Sequence, residues 1–557
     1  MRLHRLAAAA LAALACAAPL AAYDRPLIGP RLGASTDLGQ TWRPDLLDAA
    51  RALPLTLFRD EIFWRNVESG GRFVFDNRRA TYPDLLPPQG AGLLFLVNNP
   101  PPDHDGGTTP RTAEGAAAFA RYTAETLARF PDISILEVGN EMNTGDFAWG
   151  PGWDAPLETR AASYVRLLAA TAGAARAERP GIEVLGGAAH SIPLAWLKEI
   201  FARGAADHMD ALALHPYTVR PEQLARQIAL MRREVPQTAN LPVAVTEFGQ
   251  TDAATAPAYL LKSYCQQALS GVTLSVWYPL NPRGDGLAAL LTEDGRPTPV
   301  GETFRLIRAG FEGRPVEDVA PDPFTWGCRF GEDRLVLWGA PRSVALDDGV
   351  QALDARGRPL PSGGAARLSE EDPLVLVSSA GSLRLGREVR LGLKEVIADS
   401  WAQFAYPGAG AADPFARLVR QNGAERPLEM RPGQERDGVP WTPYLGTGID
   451  GLARASAEWA LPSSPPAGEI DIIYRYRSPR AATVLPEIRL EPWSDGVTLS
   501  VLLNGTPLLS TGVERDRTLR LAPLHLAAGD RLDTVIGPRG DGGSGAGVRV
   551  ILRRPPE

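Results

Sequence analysis

The chain has 557 residues, 44% hydrophobic and 22% charged, with a formal net charge of −7. That length and balance suit a soluble protein of about two to four domains. The acidic charge and the lack of any basic run argue against a nucleic-acid partner.

Residues 1–22, MRLHRLAAAALAALACAAPLAA, carry arginines, an apolar Ala/Leu run and small residues. This is the grammar of a secretory signal peptide, with cleavage near Ala22. The run is short for a membrane span, and no later segment reads as one. The mature chain is expected to be secreted or periplasmic. A lipid anchor at Cys16 is disfavoured because Ala13 stands where a larger aliphatic is usual. Without the signal only Cys265 and Cys328 remain, and being assigned to different domains they are expected to be free, buried thiols. The six histidines form no HxH or HxxxH pair, so neither a metal nor a cofactor is expected. Asp103, His104 and Asp105 lie in a Pro/Gly-rich loop and read as turn residues.

Over 23–311, apolar strand-like runs alternate with amphipathic helical stretches. The strand candidates are LIGPRLGAS, LTLFRDE, GLLFLVNN, ISILEVGNE, IEVLGGAA, ALALHPY, PVAVTEFG and LSVWYPL. Helical patterns such as TAEGAAAFARYTAETLARF and EQLARQIALMRREV separate them. Strands and helices in this alternation predict a (β/α)8 TIM barrel, whose usual size is about 250 residues. A doubly wound open sheet is the alternative, but no GxGxxG turn follows an early strand. Beyond Gly310 the helical period stops. Short alternating runs predict a small β domain over 312–395 and a β-sandwich over 396–557, two C-terminal all-β regions. The sandwich either braces the barrel or binds carbohydrate through Trp401, Trp441, Trp459 or Trp493.

In such a barrel the chemistry sits at the C-terminal strand ends. Strand two ends in Arg59, Asp60 and Glu61; strand three in Asn98 and Asn99; strand four in Asn140, Glu141 and Asn143. Strand six ends in His215, Pro216 and Tyr217; strand seven in Thr246 and Glu247; strand eight in Trp277 and Tyr278. A buried carboxylate without partners is costly, so Glu141 needs a role. Facing Glu247 across the barrel mouth, it completes the carboxylate pair that glycoside hydrolysis requires. One member is expected to be an acid raised by burial and by its neighbour, the other to stay ionised beside Arg59. Asn140 is placed to meet a sugar 2-hydroxyl. Trp149 and Trp153, in the glycine-rich loop NTGDFAWGPGWD, offer flat apolar faces for sugar rings.

VGNEMN and VTEFG resemble the acid/base and nucleophile motifs of clan A glycoside hydrolases. With HPY on strand six and RDEIFWRNVE after strand two, the chain resembles glycoside hydrolase family 39 and related bacterial exopolysaccharide endoglycosidases. The resemblance covers about 28–310. It implies a retaining enzyme with Glu141 as acid/base and Glu247 as nucleophile. It also implies that Asn140, Arg59, His215, Tyr217 and Trp277 surround the sugar. The place of Trp277 at the end of strand eight suggests a sugar platform, and Asn98 is a further candidate contact. The expected function is a secreted retaining glycosidase that cuts within a polysaccharide. An exo-acting β-xylosidase-like enzyme, a transglycosylase and a non-catalytic polysaccharide-binding matrix protein are the competitors.

Overall fold

The computed structural model describes residues 23–555, apart from Asn99, Ser362, 411–412, 448–451 and 541–543. The expected signal peptide and Cys16 lie outside the described residues.

Eight parallel strands close into a barrel. They are β1 Arg31–Ser35, β2 Leu57–Glu61, β3 Gly92–Val97 and β4 Ile135–Val138, then β5 Glu183–His190, β6 Ala211–His215, β7 Val243–Phe248 and β8 Val272–Trp277. Each pairs with its sequence neighbour, and β8 closes on β1 through Ala34 opposite Trp277. Helices α1 Ala113–Arg129, α2 Leu157–Glu178, α3 Leu194–Ala202, α4 Pro221–Glu234, α5 Ala256–Leu269 and α6 Pro299–Gly310 follow β3 to β8 in turn. The connection after β1 holds only short helices, and that after β2 holds short helical turns and a small hairpin of Glu68–Ser69 with Arg72–Phe73. Local chemistry sets the helix starts. Thr112 accepts the Gly115 N–H at 2.9 Å to cap α1, and Thr298 caps α6 with Pro299 at its first position. Asp105 accepts the Arg111 and Thr112 N–H groups ahead of α1, while His104 stacks on Trp64 and meets Glu68 at 2.9 Å.

Antiparallel sheets make up the rest of the chain, as expected. Five- and three-stranded sheets lie between Val316 and Leu391, followed by nine- and six-stranded sheets that run to Arg553. The expectation of two free thiols is overturned: Cys265 of α5 and Cys328 of the strand Thr325–Phe330 form a disulfide. Separate sequence regions hid their proximity, because this strand packs directly on α5 with a Cα–Cα distance of 5.9 Å. Beside it, the Trp338 indole N–H donates to Glu222 of α4 at 2.9 Å. Among the described residues no helix is long and apolar enough to cross a membrane.

Candidate active site

Strand alternation decides which side chains reach the bore of the barrel. Leu57, Leu94, Ile135, Leu185, Ala213 and Ala244 fill it with an apolar plug. Two residues further along β2, β4, β6 and β7 the same face carries Arg59, Glu137, His215 and Thr246, all buried. Arg59 Nε donates to Glu137 Oε2 at 2.5 Å, Nη2 donates to Asn140 Oδ1 at 2.9 Å, and Nη1 pairs with Glu247 Oε1. Thr246 Oγ1 donates to Glu137 Oε1 at 2.7 Å, and His215 Nε2 lies 3.0 Å from the Thr246 hydroxyl. Burial pushes the Glu137 carboxyl up, but Arg59 and His215 outweigh it and bring it down to about 2.

Glu247 follows an irregularity in β7. Ser275 and Trp277 of β8 pair with Val245 and Phe248, so β7 carries one more residue than its partner there. Such a bulge re-aims a side chain. Here Thr246 turns into the bore and Glu247 turns to the rim beside it. Tyr217 donates its hydroxyl to Glu247 Oε2 at 3.0 Å, so each carboxylate oxygen has a donor.

Glu141 is set by the turn that ends β4. Gly139 has φ 86° and Glu141 itself φ 42°, a left-handed conformation costly for a residue with a Cβ. Backbone bonds hold the turn: Gly139 N–H to Val97 O at 2.9 Å and Met142 N–H to Ala188 O at 3.1 Å. The Nδ1 atoms of His190 and His215 both lie 3.0 Å from Glu141 Oε1. Donor atoms of Glu141, His215 and Glu247 all lie within 4.8 Å of one another. These three could offer ligands to a cation, although both ring nitrogens of His215 already have partners.

The electrostatics differ from expectation at one point. Glu141 is not raised. Burial favours its neutral form, but hydrogen bonds from His190 and His215 outweigh burial and bring it down to about 2. Burial lowers His215, but Glu247, Glu137 and Glu141 around it carry it up to about 9. The Glu141–His215 pair therefore holds one proton at neutral pH, and the two groups titrate as a unit.

A loop from the C-terminal sheets reaches this pair. Asn143 Nδ2 donates to Gln434 Oε1 at 3.0 Å, and the Gln434 amide donates back to Asn143 O. Asn143 Oδ1 accepts the His190 N–H at 2.8 Å. Trp441 meets the His190 ring edge-to-face at 5.5 Å.

Of the residues singled out in the sequence, Arg59, Asn140, His215 and Tyr217 gather around Glu141 and Glu247. Asn98 follows β3 with a buried Oδ1 that finds no partner among the described residues. Trp149 is 40% exposed on its loop. One expectation needs correction. Trp277 is 0% exposed and cannot serve as a sugar platform in this structure. Leu274 and Val276 face the bore, so Trp277 points the other way, against Phe248 and Tyr259 of α5. Trp153 is half-buried on its loop: Arg160 of α2 lies 4.2 Å over one ring face, and the ring edge sits against Gly145.

Sequence reasoning missed Glu137, His190 and Gln434, and it placed Trp441 on a separate carbohydrate-binding surface and not against His190. Glu137 was signalled by an acid in phase with Ile135 inside an apolar strand. His190 ends strand five, whose end residues attracted no notice. Nothing local marks Gln434, or the approach of Trp441 to the barrel.

No family model and no curated protein matches the sequence. Solved structures do. A family 39 glycoside hydrolase from the gut symbiont Bacteroides cellulosilyticus WH2 superposes with a TM-score of 0.53 at 18% identity, over 64% of this chain and 81% of that one. A family 30 endoxylanase from Clostridium papyrosolvens C71 gives 0.49 at 14% identity, over 64% and 98%. A family 39 β-xylosidase from Caulobacter crescentus gives 0.46 at 16%, over 64% and 98%. At these identities the likeness to the first concerns the fold: this chain shares the architecture of a family 39 glycoside hydrolase.

Proposed function

We propose that the protein is a retaining glycoside hydrolase that cleaves within a polysaccharide chain outside the cytoplasm. One observation carries the reading: a carboxylate oxygen of Glu141, just beyond β4, and one of Glu247 on β7 lie within 4.8 Å, Glu247 held by a guanidinium and a phenol and Glu141 by two imidazoles. Retaining enzymes need a separation of about 5–5.5 Å, whereas inverting ones leave about 6.5–9.5 Å for a water.

Glu247, with donors on both oxygens, attacks the anomeric carbon as the glycosidic bond breaks. The leaving oxygen takes the proton that Glu141 and His215 hold between them, delivered from the Glu141 carboxyl. The glycosyl-enzyme is then attacked by water, whose proton returns to the pair, and Glu247 leaves as carboxylate. Arg59 and Tyr217 stabilise that charge in both steps. Asn140, fixed by Arg59, offers its amide to the 2-hydroxyl. Secretion is supported by the N-terminal sequence grammar and by the disulfide, which persists in oxidising compartments.

The test is product release from a polysaccharide panel that includes bacterial exopolysaccharides, sized by mass spectrometry, for the wild type and Glu141→Gln. Oligosaccharides from the wild type alone support the reading. Monosaccharide alone moves it to exo action, and silence with retained binding replaces it with a binding protein. For the nucleophile, Glu247→Ala is expected to lose turnover and to regain it with azide, giving a product of inverted configuration. Full activity of Glu247→Ala would sink the mechanism.

A further inference from the structure

On the nine-stranded sheet, Trp459 and Glu491 both pair with Gly547, and Trp493 pairs with Gly545. Cross-strand partners share a face, so these five residues lie on one side of the sheet. Two glycines side by side leave a furrow along the strand Gly545–Arg553, with Trp459 on one wall and Glu491 and Trp493 on the other. The missing side chain lets the Trp493 ring lie over Gly545 and floor that end of the furrow: a Cβ there would stand 2.5 Å from the ring. The two indoles are 6.2 Å apart and tilted by 49°, and Trp493 is 42% exposed. The Glu491 side chain makes no hydrogen bond or ion pair among the described residues.

The furrow runs into a cavity of about 560 Å³ where the sheet meets the barrel. Glu491 and Gly547 line both. Its other walls include Arg489, Glu458 and Trp401 from the sheet side, and Arg220 and Gln250 from the barrel. Gln250 and Arg220 lie three residues beyond Glu247 and Tyr217 respectively, so the cavity abuts the rim that carries the carboxylates.

We propose that this furrow and cavity form a second carbohydrate site, which holds a polysaccharide chain outside the catalytic cleft. The ligand class follows from the walls. Tilted indoles offer flat apolar area to the C–H faces of sugar rings, and the charged groups lining the cavity suit a polyhydroxylated chain better than an apolar peptide. The cavity lies in the size range of ligand sites, about 300–1,000 Å³. The assignment of a glycan, and of a hand-over to the cleft, rests on the glycosidase reading.

Affinity electrophoresis of the full mature chain carrying Glu247→Gln tests it, in gels cast with birchwood xylan, galactomannan, alginate or dextran. At least one polymer is expected to retard the protein. Adding Trp459→Ala with Trp493→Ala, or Gly547→Ser alone to raise the floor, is expected to weaken retardation about tenfold with the melting temperature kept. Gly547→Ser is the mild change, because its Cβ would meet the Glu491 Cβ and Oε2 at 3.2 Å, a tight contact but not a clash. Absence of retardation by all four polymers, or equal retardation of all variants, overturns the proposal. Binding is read without turnover. A protein that binds through the tryptophans and cleaves nothing would refute the glycosidase reading alone; one that cleaves without tryptophan-dependent binding would refute the furrow alone.

Discussion

Leu57, Ile135, Ala213 and Ala244 face the bore of the barrel, and so do Arg59, Glu137, His215 and Thr246, two residues further along the same strands. The backbone is alike in both layers, but what keeps them stable is not. The lower layer is held by contact area, which can be lost in increments. The upper layer is held by completeness: each charge is tolerated in a dry place only while its partner remains. A site of this kind therefore fails abruptly where the plug beneath it fails gradually.

The sharpest way to break that contrast is Arg59→Met. It leaves Glu137 and Glu247 without their shared cation, and a loss of about 3–5 kcal/mol is expected in chemical denaturation. Arg59→Met with Glu137→Gln should recover much of that stability while activity stays absent. Leu57→Ala in the lower layer is expected to cost about 2–5 kcal/mol yet leave kcat near the wild-type value, because no reacting group moves. Loss of kcat in Leu57→Ala at unchanged stability would show that the two layers are not separable.

Titration sharpens the same contrast. His215 is raised to about 9 in the folded protein, so its stabilisation is complete below its ordinary value near 6.5 and is lost as pH rises through 9. Glu137 and Glu141 are lowered to about 2, so theirs is present above about 4.5 and lost as pH falls through 2. Melting temperature against pH should fall on the alkaline side near 9, and activity should fall with it as the pair gives up its proton. In His215→Gln the alkaline fall should move or vanish. The smallest effect is expected from Gln434→Ala, which frees one end of the Asn143–His190 link. A kcat loss of about tenfold or less, with a displaced pH profile and unchanged melting, would mark a positioning role; an unchanged profile would reduce Gln434 to a structural contact.

The barrel was legible because apolar strand-like runs and amphipathic helices alternate over 23–311 and the helical period stops beyond Gly310. The carboxylates were legible because they stand at strand ends, where polarity is unexpected. Trp277 was misread by the same logic. Its end position suggested the cleft, but Val276 before it already occupies the inward face, and parity along β8 settles which way the indole points. Glu247 shows why parity alone is not enough, since the irregularity in β7 adds a residue that no local signal announces. The disulfide and the Gln434 contact span sequence separations of 63 and 291 residues, and only the folded topology brings such positions together.

That last contact bears on how the protein can be cut and recombined. A fragment ending near Gly310 would contain every carboxylate and imidazole of the site, and a gene trimmed there would look complete. It would lack Gln434 and Trp441 against the turn that carries the acid, and it would leave Cys265 without its mate. Module swaps that treat the C-terminal sheets as a detachable accessory would thus deliver a barrel with a loosened proton donor. The natural unit of exchange, for an engineer or for recombination between genes, is the whole chain.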